Sequence, residues 1–305
     1  MPADAWSDWQ PLAGQPPLTA AVLAETLDGG QTFRWSLQPD GTWVGLWSDC
    51  VARLRLQPDG RLRWSAPAQL AARVKTALPA YLGVGRDFRA LADTLPWRSD
   101  AHLARCLAAF PGLALPRQPF GETLLCFLCS ATKQIVQIKQ MVALLAARHG
   151  QPVGRAGSLT PPIHRLPSWA ELAEIPETDL RACLLGFRAR YIKETALYLA
   201  ARPGWLDETE QLPYPAAKAR LLELPGVGEK VADCVLLFGA GKLEAFPVDT
   251  WILKAMARHY RLDGWSPAQV AHFGRTHFGP LAGLAQQYLF AWERKFGSRE
   301  KLPTP

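Results

Sequence analysis

Hydrophobic periodicity changes once along this 305-residue chain, and that change limits the fold more than any single motif does. In the first hundred residues, short β-prone runs at 31–36, 43–47, 51–57 and 61–65 are separated by Pro-Asp-Gly turns at 39–41 and 58–60. Arg53-Leu54-Arg55-Leu56 and Arg61-Leu62-Arg63-Trp64 alternate with period two, as antiparallel strands with one wet face do. From about Leu103 the period is helical. Ile135, Ile138, Met141, Val142 and Leu145 share a helix face that Gly150 ends. Residues 151–167, rich in Pro and Gly, read as a surface loop. Ser168 with Glu171 signals a capping box, and Thr178 is expected to cap a helix stopping at Gly186. Further helices are expected over 188–201, from Ser266-Pro267 onward, and over 281–295. No solenoid-length repeat is visible. The fold class is α+β: an N-terminal antiparallel β-sheet domain over 1–100, then an all-α body over 101–305.

Composition narrows the function classes. A chain of this length builds real cores without staples or an obligate partner, so a monomer is expected. At 49% hydrophobic residues it is too apolar for disorder, and no apolar run is long enough to cross a bilayer as a helix, so no membrane partner is expected. The start, Met-Pro-Ala-Asp-Ala-Trp, lacks a basic segment followed by an apolar one. The expected location is therefore cytoplasmic, at the nucleoid in a bacterium or in the nucleus of a eukaryote, and not secreted. A net charge of +7 mildly favours a polyanionic partner. Of six cysteines only Cys126 and Cys129 form a C-x-x-C pair, and no cysteine follows Cys234. Zinc or iron–sulfur ligand spacing is missing, so buried free thiols are expected, with no metal and no cofactor. Twelve Trp against three Met suit broad aromatic packing or stacking surfaces.

The chemistry concentrates at 221–260, LLELPGVGEKVADCVLLFGAGKLEAFPVDTWILKAMARHY. Within a helix-hairpin-helix unit at 215–240, a helix over 215–223 leads into the turn at 224–228, and a second helix starts near Glu229. Gly226 and Gly228, on either side of Val227, let the backbone turn tightly and leave amides pointing outward at a helix N-terminus. That geometry grips phosphate without touching a base. Lys230 falls in the first turn of the second helix. A cation there opposes the helix dipole, which favours the neutral amine that a nucleophilic lysine needs. Asp249, 19 positions on, begins the next helix; as an N-cap it would accept backbone amides that keep it ionised and fix its direction. Taken singly, Lys230 also reads as a surface lysine and Asp249 as a plain cap.

Leu224-Pro-Gly-Val-Gly-Glu-Lys230-Val-Ala-Asp-Cys234 with Pro247-Val-Asp249 resembles the helix-hairpin-helix, Gly/Pro–Asp signature of base-excision DNA glycosylases. It is most similar to the 8-oxoguanine DNA glycosylase/AP lyase branch. Segments 29–35 (Gly-Gly-Gln-Thr-Phe-Arg-Trp), 186–191 and 279–286 extend the similarity over about 18–295. The resemblance implies a TBP-like N-terminal sheet, a glycosylase body, and double-stranded DNA containing oxidised guanine as partner. It gives Lys230 the attack on the sugar and Asp249 the stabilisation of the oxocarbenium ion. Gly226, Val227 and Gly228 would hold the DNA backbone. Gly30, Cys234, Gln286 and Phe290 would recognise the base, although each alone also reads as a turn glycine or a packing residue. Three positions depart from the eukaryotic pattern around the opposite base. Thr132 stands for an Asn, Gln137 for an Arg and Phe187 for a Tyr, while Arg188 is kept. Trp251 replaces a His that touches phosphate. The alternatives are a monofunctional alkylated-base glycosylase, or a non-catalytic helix-hairpin-helix DNA-binding module in which Lys230 is one more basic contact.

Overall fold

Five strands, β1 (Gln10–Pro11), β2 (Trp35–Leu37), β3 (Trp43–Trp47), β4 (Cys50–Leu56) and β5 (Leu62–Ser65), form one antiparallel sheet in the order β1-β5-β4-β3-β2. They belong to a computed structural model that describes residues 6–154 and 162–297. The start of the chain at 1–5, part of the expected 151–167 loop and the stretch 298–305 lie outside the described residues. Both Pro-Asp-Gly turns reverse the chain through a glycine at φ +79°, Gly41 and Gly60, a conformation that a side chain would strain.

Register explains much of the tryptophan excess. Trp35 pairs with Gly45, and a Cβ there would lie 2.1 Å from the Trp35 ring, so the indole occupies the space above the glycine. Trp35 stacks on Trp47 and donates its Nε1 hydrogen to the Tyr81 hydroxyl at 3.1 Å. Trp43 and Trp64 complete this core, each fully buried aromatic ring contributing on the order of 2–3 kcal/mol. The alternating arginines of β4 lie against two further indoles, Arg53 on Trp6 and Arg55 on Trp9.

Three helices join this sheet that its periodicity did not announce: α1 (Ala20–Asp28), α2 (Ala71–Tyr81) and α3 (Phe88–Asp93). The body then runs through α4 (Ala101–Ala109), α5 (Phe120–Leu128), α6 (Ile135–His149), α7 (Trp169–Glu174), α8 (Glu177–Leu180) and α9 (Arg188–Ala200). It closes with α10 (Trp205–Gln211), α11 (Tyr214–Leu221), α12 (Glu229–Phe238), α13 (Thr250–Tyr260), α14 (Pro267–Phe278) and α15 (Ala282–Phe296). Ser168 caps α7 with a complete capping box and Ser266 caps α14 ahead of Pro267, both as expected; Gln269 completes a second box at Ser266. Thr178 does not cap: it lies inside α8, which follows Pro176, and the chain passes through a wide turn at 181–185 before Gly186. Proline at the N-cap presets the extended entry, so the hydroxyl has no capping position to fill.

The central element is α12. Every residue from Val231 to Phe238 is buried, including Asp233, which accepts hydrogen bonds from Tyr214 at 2.7 Å and Lys218 at 3.0 Å. The sheet half is fixed to this body near Gly30. Gln118 donates to the Gln31 carbonyl at 2.8 Å, Phe33 meets Phe127 edge-on at 5.3 Å, and Lys139 donates to both Asp28 and the Trp35 carbonyl.

Candidate active site

Between α11 and α12 the chain turns at 225–228. Val227 is buried and its amide donates to the Leu224 carbonyl at 3.1 Å, which pins the turn from inside. Gly226 has φ +78°, and a Cβ on it would lie 2.6 Å from Tyr191, so glycine is required for conformation and for contact alike. Gly228 is the N-cap of α12, with no atom near the space a Cβ would fill. The first-turn amides of α12, which have no intrahelical partner, thus face an open approach.

Lys230 is the second residue of α12, and its Nζ donates to Ser130 Oγ at 3.0 Å. Ser130, buried just after the end of α5, donates its own hydrogen to the Phe127 carbonyl at 2.7 Å. The hydroxyl is thereby oriented as an acceptor toward the amine. The Phe127 ring centroid lies 5.1 Å from Nζ. Asp249 is the N-cap of α13, its Oδ1 accepting from Trp251 N at 3.0 Å and Ile252 N at 2.9 Å. The cap is as expected, but its electrostatic consequence is not. Burial pushes the Asp249 carboxyl above the usual aspartate range, outweighing the two amides and the nearby Lys230 that hold it down. Cys234, one turn beyond Lys230, is buried, and burial drives its thiol up to about 12. It is a neutral, weakly polar surface.

Gly30, at φ +92°, comes close to the last helix. A Cβ on it would lie 2.9 Å from Ile135 and 3.7 Å from Phe290. Gln286 is 3% exposed; its amide donates to the Pro247 carbonyl at 3.0 Å and its oxygen accepts from Gln287 at 2.6 Å. The fold thus joins Gly30 to Phe290, Gln286 to the Pro247-Val248-Asp249 corner, and Lys230 to Ser130. Sequence reasoning missed Ser130, Ile135 and Tyr191. Ser130 stands two residues before Thr132, but a hydroxyl 100 positions from its partner leaves no local signal.

Residues 125–277 match the HhH-GPD superfamily of base excision DNA repair proteins, and residues 16–124 match the N-terminal domain of 8-oxoguanine DNA glycosylases. The chain belongs to the HhH-GPD superfamily, in its 8-oxoguanine glycosylase branch. Clostridium acetobutylicum 8-oxoguanine glycosylase/lyase, solved with double-stranded DNA carrying cytosine opposite 8-oxoguanine, is 30% identical with a TM-score of 0.81, covering 90% of this chain and 92% of that one. An N-glycosylase/DNA lyase of Arabidopsis thaliana is 29% identical over 289 residues, which is 90% of this chain and 78% of that protein. A probable N-glycosylase/DNA lyase of Methanothermobacter thermautotrophicus is 41% identical over 124 residues, and this match spans only 39% of that protein's length.

In this HhH-GPD chain the residues given to the opposite base also make contacts within the protein. Gln137 is exposed and closes the capping box of α6 by accepting from Gln134 N at 3.1 Å. Arg188 is only 3% exposed. Its guanidinium donates to the Ala131 and Leu185 carbonyls and to Thr132 Oγ1, which uses four of its five N–H groups. Thr132, exposed at φ +53°, is held by that arginine. Phe187 is half exposed, 4.4 Å from the Arg188 guanidinium carbon and edge-on to Tyr191. Trp251 is partly exposed, with the Lys254 ammonium 5.3 Å from its ring. All six cysteines are buried free thiols, and burial lifts Cys126 well above and Cys129 to about 12.

Proposed function

We propose that this chain flips 8-oxoguanine out of duplex DNA, excises it through Lys230, and then cuts the strand by β-elimination. The observation that carries the reading is the Lys230 amine, fixed by Ser130 at the open N-terminus of α12 and within electrostatic reach of the half-buried Asp249. The base must leave the stack, because its glycosidic carbon is unreachable inside the duplex. The neutral amine forms a bond to that carbon as the bond to the base breaks, and the departing base carries off the electron pair and takes up a proton. The Asp249 carboxylate opposes the positive charge that grows on the sugar. The nitrogen then loses a proton and the bond between the sugar carbon and the ring oxygen breaks, that oxygen taking up a proton, which leaves an iminium. The iminium withdraws electrons, so a proton is lost from the neighbouring sugar carbon and the 3′ phosphate leaves with the electron pair of its bond.

Choice of base follows from one hydrogen. Guanine presents an acceptor at N7, whereas 8-oxoguanine presents a donor there. A carbonyl separates the two, and Gly30 is our assignment for it. Phe290, beside Gly30, supplies an apolar face for stacking.

The test is borohydride trapping on a duplex with 8-oxoguanine opposite cytosine, for which a covalent adduct and a cut strand are expected. Release of an alkylated base with no adduct would favour the monofunctional reading, and binding without release would favour the non-catalytic one. Ser130→Ala is expected to lower the single-turnover excision rate about five- to tenfold with little change in melting temperature, because one hydrogen bond orienting the amine is lost. An unchanged rate would show that Lys230 is positioned without it.

A further inference from the structure

The turn between α8 and α9 holds a residue whose conformation and exposure both oppose stability. Leu184 has φ +63° and ψ +17°, the left-handed region that favours glycine, and it exposes 53% of its surface. Its neighbours Cys183 and Leu185 are completely buried. Both sides of the turn are tied down by arginines: Arg148 donates to the Ala182 carbonyl at 2.8 Å, and Arg188 to the Leu185 carbonyl at 3.1 Å. The protein thus holds a large apolar side chain rigidly toward water in a strained conformation, where glycine or asparagine would cost less. Strain that the surroundings enforce in this way points to function.

What the side chain meets follows from its surroundings. Phe187, also half exposed, is three residues on, across Gly186. Its ring meets Tyr191 edge-on at 6.1 Å, and Tyr191 packs on Gly226 of the phosphate-gripping turn. Phe187 therefore borders the turn that offers amides to the DNA backbone, and Leu184 is exposed three residues before it. Their Cα atoms are at most about 11 Å apart, so both fall within about three base steps at roughly 3.4 Å each. Most of the Arg188 N–H groups and the Gln137 side-chain oxygen are used within the protein, so apolar side chains share the surface beside them.

We propose that Leu184 is a second wedge, inserting with Phe187 against the bases left unstacked when a nucleotide is flipped. An apolar side chain there covers the exposed base faces and offsets part of the unstacking cost. This rests on the reading above that the chain flips its substrate. It adds a residue whose contribution depends on the neighbouring stack and not on the identity of the damaged base.

The experiment compares Leu184→Gly, Leu184→Asn and Leu184→Met. One readout is the fluorescence of 2-aminopurine placed beside a tetrahydrofuran abasic analogue in a duplex, which reports unstacking without any excision. The other is single-turnover release of 8-oxoguanine. Gly and Asn, both at ease in the left-handed region, are expected to match or exceed the wild-type melting temperature. The same two variants should lose most of the fluorescence response and slow release about tenfold. Met should stay within about twofold of wild type in both readouts, since it keeps the apolar length. Gly and Asn variants that unstack and excise like the wild type would overturn the proposal. If the wild type unstacks the abasic duplex but releases no 8-oxoguanine, the base assignment fails and the wedge stands. If Leu184→Gly lowers the melting temperature by several degrees, Leu184 is a packing residue and the wedge is overturned.

Discussion

Lys230→Gln is expected to abolish the borohydride-trapped adduct and to slow base release on the order of 10⁴-fold, while the protein stays folded and bound to DNA. Glutamine is one bond shorter than lysine and keeps an uncharged N–H donor on the side of Ser130, whose Oγ accepts from Lys230 at 3.0 Å. What it removes is the lone pair, and without that no bond to the sugar carbon forms. The loss should be of this order because the nucleophile and the groups that position it act as a unit. Stability should change little and in the favourable direction. Lys230 is the second residue of α12, where a cation opposes the dipole, and relieving that contributes about 0.3–1 kcal/mol. Affinity for an abasic-analogue duplex should be within a few-fold of wild type, because the turn at 225–228 presents backbone amides that the substitution leaves in place. The measurements are trapping, single-turnover release, melting temperature and a binding isotherm. An adduct that persists in the variant would place the nucleophile elsewhere.

The parts of the fold legible from the sequence were those set by local chemistry. Two-residue alternation with Pro-Asp-Gly turns located β3, β4 and β5, and the serine caps located α7 and α14. Strand β1 escaped notice because two residues, Gln10 and Pro11, carry no period. Helix α1 escaped because its sequence, Ala-Ala-Val-Leu-Ala-Glu-Thr-Leu-Asp, lies just before the β-prone runs and is buried along much of its length, which blurs a one-sided stripe. The site divides along the same line. Lys230, Asp249 and the glycine turn are read from adjacent residues, since a helix N-terminus is a local object. The Ser130 contact joins α5 to α12 and exists only through packing. Arg188 belongs with Ser130: its type suits base reading, and the bonds it also makes to the Ala131 and Leu185 carbonyls arise only through packing. A guanidinium offers five donors to whatever acceptors the fold brings near, and sequence cannot rank them.

Asp249→Asn is expected to lower excision about 10²- to 10³-fold and, at neutral pH, to leave the protein at least as stable as wild type. The two effects have one cause. Asparagine caps a helix as well as aspartate does, so the bonds from Trp251 and Ile252 amides at 3.0 and 2.9 Å are retained. The negative charge is lost, and with it the preorganised stabilisation of the oxocarbenium ion. Burial raises the Asp249 carboxyl in the folded state above its unfolded value. The folded state therefore favours the protonated acid, and its contribution to stability is fully present below the unfolded pKa and lost as pH rises through the folded one. At pH 7 the wild type bears the cost of a half-buried, poorly solvated charge that the asparagine variant does not. The stability difference between them should widen as pH rises from the acid side through the folded value and close at low pH, as urea titrations at several pH values would show. Wild-type excision should fall on the acid side at a pH above the ordinary aspartate range, because the carboxylate must be ionised to act. Asp249→Ala separates the roles, since it loses both the charge and the cap and should cost about 1 kcal/mol besides. If the asparagine variant is less stable than wild type at neutral pH, burial is not what raises this carboxyl, and the argument that the site holds Asp249 at a cost to stability fails with it.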